Sequence, residues 1–277
     1  MTIPHLLTSQ SLPITPFLKW AGGKRWLAPI IQDNVGAIVG RYIEPFLGSG
    51  AVYFRLLPGR AILNDANLDL IETYRAIKDD YFAVERHLAK HQKMHSPQYY
   101  YEIREYSPRC RFRKAARFIY LNRTCWNGLY RVNLKGIFNV PVGTKSTVIL
   151  PSDDWGKVAA QLSSADIRYG DFEDCINEAR KGDFIFADPP YTVKHNYNGF
   201  IKYNESLFSW ADQERLSYAL KRACLRGVSV VSTNANHESV RALYQDVFEL
   251  KVMDRRSVLS GDPKFRGRFQ ELLILSS

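Results

Sequence analysis

Residues 184–191 read Phe-Ile-Phe-Ala-Asp-Pro-Pro-Tyr, and no other stretch says more about the class of fold. The four apolar residues are short enough to form a buried strand. Asp188 then lies at the C-terminal end of that strand, and the two prolines hold the following backbone extended. The Asp188 carboxylate and a proline carbonyl can accept both hydrogens of a planar amino group, and the Tyr191 ring offers a face to a heterocycle. Two prolines alone would indicate only a turn that ends a strand. With Asp and Tyr beside them, we predict a binding turn.

Apolar runs rich in β-branched and aromatic residues alternate with helical patterns along the chain, which is typical of a parallel sheet covered by helices. An α/β fold is therefore expected, with strands at residues 41–43, 61–63, 167–169, 184–187, 228–232, 247–252 and 272–275. A turn over residues 44–50 follows the first strand, and glycines at 48 and 50 allow its backbone to approach a ligand closely. Asp65 ends the second strand, 17 residues after Gly48. Its position resembles that of the acidic residue that binds ribose hydroxyls in nucleotide-binding βαβ units.

The charge of the chain favours a polyanionic partner. It carries 38 Lys and Arg against 28 Asp and Glu, a formal net charge of +10. Residues 99–135 hold nine of the basic residues against Glu102 and Glu105, with aromatic residues interleaved. The same region departs from the sheet pattern, because residues 70–93 and 98–122 are predicted as helices and residues 126–147 as a structured loop. A solvated basic helix with aromatics facing a core is the alternative. We predict an inserted module that binds the partner.

Other classes of site are disfavoured by the sequence. The cysteines at 110, 125, 175 and 224 are too far apart for a zinc ribbon or a disulfide framework, and they suit a reducing cytoplasm. No apolar run reaches the length of a membrane span, and residues 1–15 lack the features of a signal peptide. His87, His91 and His95 could line one helical face as metal ligands, but the charged residues around them indicate a solvated helix. We therefore expect no metal.

Several segments together resemble a known family. Residues 17–24 (FLKWAGGK), 44–50 (EPFLGSG) and 188–191 (DPPY) occur in the order found in DNA adenine methylases of the Dam family, the D12 type of class alpha. Residues 121–123, 126–133 and 138–143 resemble the target-recognition segment of that family. The resemblance runs from about Phe17 to the C-terminus. It implies a Rossmann-like mixed seven-stranded sheet, mostly parallel with one antiparallel strand near its edge, and an inserted helical target-recognition domain.

The resemblance also implies roles for ranges and residues. Residues 17–66 and 152–277 would form the catalytic domain, residues 67–151 the target-recognition domain and residues 1–16 a flexible leader. Catalytic roles fall to Asp188, Pro189 and Tyr191. The cofactor, S-adenosylmethionine, would be held by Trp20, Gly22, Lys24, Phe46, Gly48, Asp65 and Asp188. Double-stranded DNA would be contacted by Lys19, Trp126, Asn127, Leu129, Arg131 and Pro141. Arg131 is the candidate for reading guanine. Trp126 could wedge into the duplex or could be a core tryptophan.

The implied reaction is methyl transfer to N6 of adenine within a short duplex site such as GATC. The amino lone pair of adenine is delocalised into the ring, so acceptance of both N6 hydrogens by Asp188 and the Pro189 carbonyl would localise it. The base must be rotated out of the stack, which costs a few kcal/mol. A methyltransferase acting on RNA adenine or on protein amino groups, or an inactive DNA-binding protein, remains an alternative.

The same resemblance leads us to expect a monomer of bacterial or phage origin that acts in the cytoplasm. Residues 153–164, 192–198 and 251–268 depart from the family in detail. The last of these segments is predicted to be a hairpin that touches phosphates.

Overall fold

The computed structural model describes residues 12–36, 38–128, 130–133, 137–193, 208–256 and 268–276. The predicted leader and hairpin, and the loop that begins at residue 192, fall partly outside these ranges. The chain divides into two compact units. The first unit comprises Met1–Gln32, Ser49–Leu57 and Ala76–Ser163, and the second comprises Asp33–Gly48, Pro58–Arg75 and Ser164–Ser277. The assignment of a catalytic and a target-recognition domain to the predicted ranges stays a prediction.

The second unit contains a seven-stranded sheet. Its strands are β1 Tyr42–Glu44, β2 Ala61–Asp65, β3 Ala165–Tyr169, β4 Phe184–Ala187, β5 Ser229–Ala235, β6 Glu249–Arg256 and β7 Arg268–Leu275. They lie in the order β3-β2-β1-β4-β5-β7-β6. The first five strands in this order are parallel neighbours, and β7 runs antiparallel to both β5 and β6. The predicted mostly parallel sheet, with one antiparallel strand near its edge, is confirmed.

The helices of the described residues complete the α/β fold. They are α1 Ala28–Asn34, α2 Tyr53–Leu56, α3 Leu68–Met94, α4 Pro97–Glu105, α5 Arg111–Thr124, α6 Trp155–Leu162, α7 Phe172–Asn177, α8 Trp210–Leu225 and α9 Glu238–Tyr244. In the second unit, buried side chains of the strands form one apolar cluster with α7, α8 and α9; examples are Ile43, Ile185, Leu216, Val230 and Tyr244. The central strands read as continuous apolar runs because parallel strands are covered on both faces.

One predicted helix is in fact two. The pattern over residues 98–122 predicts a continuous helix, but α4 ends at Glu105 and α5 begins at Arg111. Pro108 explains the break, because it has no backbone N–H and disfavours helical geometry in the residue before it. Tyr106 is already extended, with φ −71° and ψ 130°. Helix α3 is also interrupted, at Asp80, whose carboxylate accepts a hydrogen bond from the backbone N–H of Ala83.

The loop after α5 is structured, as predicted. A short 3-10 turn covers Trp126–Gly128, and isolated β-bridges join Cys125 to Val142 and Val132 to Phe138. Gly143 lies against this bridge, and a Cβ atom there would come within 2.6 Å of the Cys125 carbonyl oxygen. The bridge between Cys125 and Val142 joins the two sides of the loop, and the bridge between Val132 and Phe138 joins two residues inside it.

Candidate active site

Three predicted site segments of the second unit leave the sheet at one edge. Asp65 is the last residue of β2, the turn over residues 45–48 follows β1, and Asp188 follows β4. Strand β1 lies between β2 and β4. After β1 the chain forms β2 on one side of β1, and β4 pairs with the other side of β1. In open α/β sheets, ligands bind outside the carboxyl ends of the strands at such a reversal of strand order.

The Asp65 carboxylate is tied to the turn after β1. The backbone N–H of Gly48 donates to Oδ2 of Asp65 at 3.0 Å, and the backbone N–H of Asn67 donates to Oδ1 at 2.9 Å. Burial raises the pKa of Asp65 to about 6, and the two backbone donors act in the opposite direction. Gly48 has φ +48°, a conformation that glycine adopts without strain. The turn therefore fixes the position of the Asp65 carboxylate at the end of β2.

Neighbouring side chains fix the turn over residues 45–48 itself. The Tyr74 hydroxyl donates to the Gly48 carbonyl at 3.1 Å, and the Asn64 amide donates to the Pro45 carbonyl at 3.1 Å. Phe46, predicted to touch the cofactor, packs its half-buried ring against Phe172 and Phe208, with centroids 5.4 and 5.5 Å away. Tyr74 and Asn64 were not predicted from the sequence.

The Asp188 turn is held by buried hydroxyl and carboxylate groups. The Thr233 hydroxyl donates to Oδ1 of Asp188 at 2.6 Å, and Thr233 has no exposed surface. The Tyr191 hydroxyl donates to Oε2 of Glu271 at 2.9 Å. Burial first, and then the charges of Asp188 and Glu271, raise the pKa of Tyr191 well above its ordinary value. Tyr191 is therefore a neutral phenol over the physiological range.

A second set of polar contacts supports the prolines of the turn. The Gln213 amide donates to the Pro190 carbonyl at 3.1 Å, and the Asn234 amide donates to Oε1 of Gln213 at 2.9 Å. The Ser232 hydroxyl donates to the Ala187 carbonyl at 2.9 Å. All three of these side chains are buried. The backbone of the turn, with Pro189 between Asp188 and Pro190, is thus braced from β5 and α8.

Sequence reasoning missed Thr233, Gln213 and Glu271. One signal was present, because Ser232, Thr233 and Asn234 are three polar residues at the end of an apolar strand. Glu271 is likewise a charged residue inside an apolar strand. Buried polar groups of this kind have hydrogen-bond partners, so their pattern points to a site.

The remaining predicted cofactor residues lie in the first unit. Lys24 is 3% exposed, and its Nζ donates to the Gly22 carbonyl at 2.7 Å. Gly22 has φ +77°, and the N–H of Gly23 donates to the Trp20 carbonyl at 3.1 Å, so these residues form a tight turn. The Trp20 ring stacks on Tyr130 with centroids 5.8 Å apart. The structure brings Trp20, Gly22 and Lys24 together.

Four of the predicted DNA contacts lie around the C-terminal end of α5, also in the first unit. The Asn122 side chain accepts from the Lys19 backbone N–H at 2.9 Å and donates to the Lys19 carbonyl at 2.8 Å. A Cβ atom on Gly128 would meet the Lys19 side chain at 2.5 Å, which places Asn127 near Lys19. The backbone N–H of Trp126 donates to the Pro141 carbonyl at 2.9 Å. Lys19, Trp126, Asn127 and Pro141 therefore form one group.

The exposure of these residues decides one open question. Trp126 is 53% exposed, so it is not a core tryptophan. Asn127, Arg131 and Pro141 are exposed as well, and Asn127 has φ +55°. Leu129 lies outside the described residues.

Lys19 lies beside a second cation. Burial first, and then hydrogen bonding and repulsion from Lys145, lower the pKa of Lys19 to about 8. An anion at this position would favour the protonated form of Lys19.

Residues 121–123 resemble part of the target-recognition segment, and Arg123 within them has a structural role. This side chain is 2% exposed and donates to both carboxylate oxygens of Asp153, at 2.6 and 2.7 Å. It also donates to the carbonyls of Phe17 and Val148. Breaking such a buried pair costs about 3–5 kcal/mol. Arg123 therefore ties the segment before Lys19 to α5.

Two of the three histidines of α3, His91 and His95, are packed more closely than a solvated helix implies. Nδ1 of His91 lies 2.8 Å from the Tyr99 hydroxyl, Nδ1 of His95 lies 2.9 Å from the Tyr120 hydroxyl, and the His91 ring stacks on Tyr120. Burial lowers the pKa of His91 to about 4. Within the part of the chain that the structure describes, no group of three or more His, Cys, Asp or Glu side chains is arranged to hold a metal.

Across the described ranges, no helix combines the length and apolar character needed to cross a bilayer.

Comparisons with known proteins show which family this sequence resembles. The model of the family described as D12 class N6 adenine-specific DNA methyltransferase matches residues 20–259. The chain is 35% identical to a type II methyltransferase of Lactococcus lactis subsp. cremoris, over 98% of each chain. It is 32% identical to a type II methyltransferase of Methanocaldococcus jannaschii, over 96% of this chain and 100% of the relative. It is also 34% identical to a DNA adenine methylase of Serratia marcescens, over 94% of this chain and 97% of the relative.

The family match covers residues 20–259, which include strands β1 to β6 and the loops that leave them, and the identities extend over most of the chain. The chain therefore belongs to the D12 class of N6 adenine-specific DNA methyltransferases, and its activity is the methylation of adenine in DNA.

Proposed function

We propose that this enzyme transfers the methyl group of S-adenosylmethionine to N6 of an adenine rotated out of a short duplex site, and that the site is GATC. One observation carries the proposal furthest. The buried Thr233 hydroxyl holds the Asp188 carboxylate at the end of β4, at the sheet edge to which Asp65 also belongs. A carboxylate fixed in this way is well placed to accept a hydrogen bond from an amino group.

The residues at the end of β2 fit a nucleoside donor. An ionised carboxylate has about four acceptor positions, and the N–H groups of Gly48 and Asn67 account for two of those of Asp65. The others suit a pair of ribose hydroxyls. When bound, S-adenosylmethionine supplies an electrophilic methyl group on a sulfonium sulfur. The roles of Trp20, Gly22, Lys24 and Phe46 in holding it stay predictions.

The Asp188 turn acts on the amino group of the acceptor. Asp188 and the Pro189 carbonyl accept the two N6 hydrogens, which draws the nitrogen toward tetrahedral geometry and localises its lone pair. The Tyr191 ring stacks on the base. Asp188 need not be a strong base, because the methylated nitrogen carries a positive charge and loses a proton readily. Orientation and exclusion of water by these residues supply the rate enhancement.

The exposed group around the end of α5 supports binding to duplex DNA. A few kcal/mol are needed to rotate the base out, and contacts to phosphates and groove edges must offset this cost. Arg131 reads guanine through O6 and N7, and Trp126 wedges between base pairs. Lys19, Asn127 and Pro141 contact the DNA beside them, and Leu129 is assigned the same role from the family pattern. The relatives include both type II methyltransferases and DNA adenine methylases.

The proposal is tested by expressing the protein in a bacterium without adenine methylases and sequencing its genomic DNA for N6-methyladenine. The wild-type enzyme should modify adenine at one short palindrome, and Asp188→Ala should leave the genome unmodified. Asp246→Ala is the matched control, because Asp246 is an exposed carboxylate of the second unit paired with Lys221. Digestion of DNA and RNA to nucleosides reports which polymer carries the mark. Methyladenine confined to RNA, or a modified genome with Asp188→Ala, would contradict the proposal.

A further inference from the structure

Glu271 is a buried carboxylate to which the proposed reaction assigns no role. It is 6% exposed and lies on β7, where it pairs with Ala235 of β5 and Met253 of β6. Successive residues of a strand point to opposite faces, so Glu271 lies on the face opposite Leu272 and Ile274 of the apolar cluster. A carboxylate at such a position is costly to bury unless it is hydrogen-bonded. The phenol of Tyr191 supplies a hydrogen bond, at 2.9 Å.

The charges of two carboxylates act on this phenol. Asp188 lies three residues before Tyr191, and its charge acts on the Tyr191 hydroxyl together with that of Glu271. Thr233, two residues before Ala235 on β5, donates to Asp188. A phenol has a single hydrogen to donate. In this structure that hydrogen goes to Glu271.

The direction of this hydrogen bond has a consequence for the acceptor. Asp188 is the group proposed to accept an N6 hydrogen of adenine, and a phenol that donated to Asp188 would compete with the base. Charged acceptors form hydrogen bonds roughly twice as strong as neutral ones. A neutral residue in place of Glu271 would therefore leave the Asp188 carboxylate as the stronger acceptor near the Tyr191 hydroxyl.

We propose that Glu271 is a positioning residue that holds the Tyr191 hydroxyl away from Asp188, so that Asp188 keeps its acceptor capacity for the amino group and the Tyr191 ring stays in place for stacking. The proposal rests on the proposed function, since it assigns a supporting residue to the same site. It goes further by giving a carboxylate on β7 a defined effect on the methyl-transfer step.

The test is a double-substitution cycle on the full-length enzyme with Glu271→Gln, Tyr191→Phe and the two combined. Single-turnover methylation of a duplex containing the target site gives the rate, and titrations give the affinities for DNA and S-adenosylmethionine. Glu271→Gln should lower the rate about tenfold, the loss expected for a hydrogen bond to a charged group, with both affinities changed less than about twofold. Adding Tyr191→Phe should then raise the rate at least about threefold above that of Glu271→Gln, because the competing hydroxyl is gone.

This reversal separates positioning from mere support of the fold. If Glu271 only stabilised the structure, removal of a second polar group would leave the rate unchanged or lower it further, and either result would overturn the proposal. A wild-type rate for Glu271→Gln would overturn it as well. Glu249→Gln is the control, because Glu249 is an exposed carboxylate on the neighbouring strand β6.

A further comparison applies if Glu271→Gln does not fold, as judged by thermal unfolding and donor binding. In the Tyr191→Phe background, Glu271→Leu should change the rate less than about twofold, because replacing both partners of a hydrogen bond by apolar groups is nearly neutral. A further loss of rate would contradict the proposal. Failure of the proposed function would look different, because wild-type enzyme would then not methylate adenine or Asp188→Ala would remain active.

Discussion

The contact between Thr233 and Asp188 gives the sharpest single-residue prediction. Thr233→Val keeps the shape of a fully buried side chain and removes only the hydroxyl that donates to Oδ1 of Asp188 at 2.6 Å. A hydrogen bond to a charged group contributes about 1.5–3 kcal/mol. Since about 1.4 kcal/mol corresponds to a factor of ten in rate, loss of this positioning should slow methyl transfer roughly 10- to 150-fold.

The assay is single-turnover transfer of a labelled methyl group to a duplex with one target site, with donor and DNA affinities measured separately. Those affinities should stay within about twofold of the wild-type values, because Thr233 is proposed to act only on the orientation of Asp188. Thr233→Ser keeps the hydroxyl and should retain the rate within about threefold. Equal rates for Thr233→Val and Thr233→Ser would refute the reasoning, because the hydroxyl would then have no part in the reaction.

Three further predictions concern the donor, the DNA and the scaffold. Affinity for S-adenosylmethionine should fall as the pH drops through about 6, because the pKa of Asp65 is about 6 and a protonated carboxyl accepts hydrogen bonds from ribose hydroxyls poorly. Calorimetry measures this affinity, and the Asp65→Asn variant should bind the donor weakly at every pH. Affinity for DNA should fall as the pH rises through about 8, because Lys19, with a pKa of about 8, loses its charge; fluorescence anisotropy checks this, and Lys19→Arg should remove the dependence. Asn122→Ala removes two hydrogen bonds to the Lys19 backbone and should lower the free energy of unfolding by about 2 kcal/mol in urea titrations.

Each of these predictions has an opposing result. A pH-independent donor affinity between about pH 5 and about pH 8 would remove Asp65 from the donor site. A Lys19→Arg variant with the wild-type pH dependence of DNA binding would show that another group titrates. Asn177 is an exposed asparagine on α7, and Asn177→Ala should change the stability less than about 0.5 kcal/mol. If Asn122→Ala changed the free energy of unfolding as little as Asn177→Ala, Asn122 would not support the Lys19 backbone.

The strands could be predicted because buried parallel strands are short apolar runs bounded by turns. The strand predicted over residues 184–187 agrees with β4 at both ends. The end of β5 and the start of β7 were missed by several residues, because Thr233, Asn234 and Glu271 are polar and do not fit an apolar strand. The single helix predicted over residues 98–122 was wrong because the effect of Pro108 was overlooked. Local pattern therefore predicted where strands lie, and tertiary burial decided where they end.

The site was predictable only in part, for a related reason. Asp188 and the pair Gly48 and Asp65 could be predicted as site residues because each lies at or after the end of an apolar run, and parallel strands end at a common edge. Thr233 and Glu271 contact the turn because β5 and β7 lie next to each other in the sheet beyond β4. That order depends on the packing of distant segments, which local sequence patterns do not specify.

The central claim is that Asp188 acts on the amino group of adenine and does not hold the DNA. It is tested most directly by measuring single-turnover methyl transfer and DNA affinity on the same preparation of Asp188→Ala. We predict that methyl transfer is lost, by about 1000-fold or more, while the affinity for a duplex containing the target site changes less than about threefold. Methyl transfer at the wild-type rate, or a loss that follows an equal loss of DNA affinity, would contradict this account.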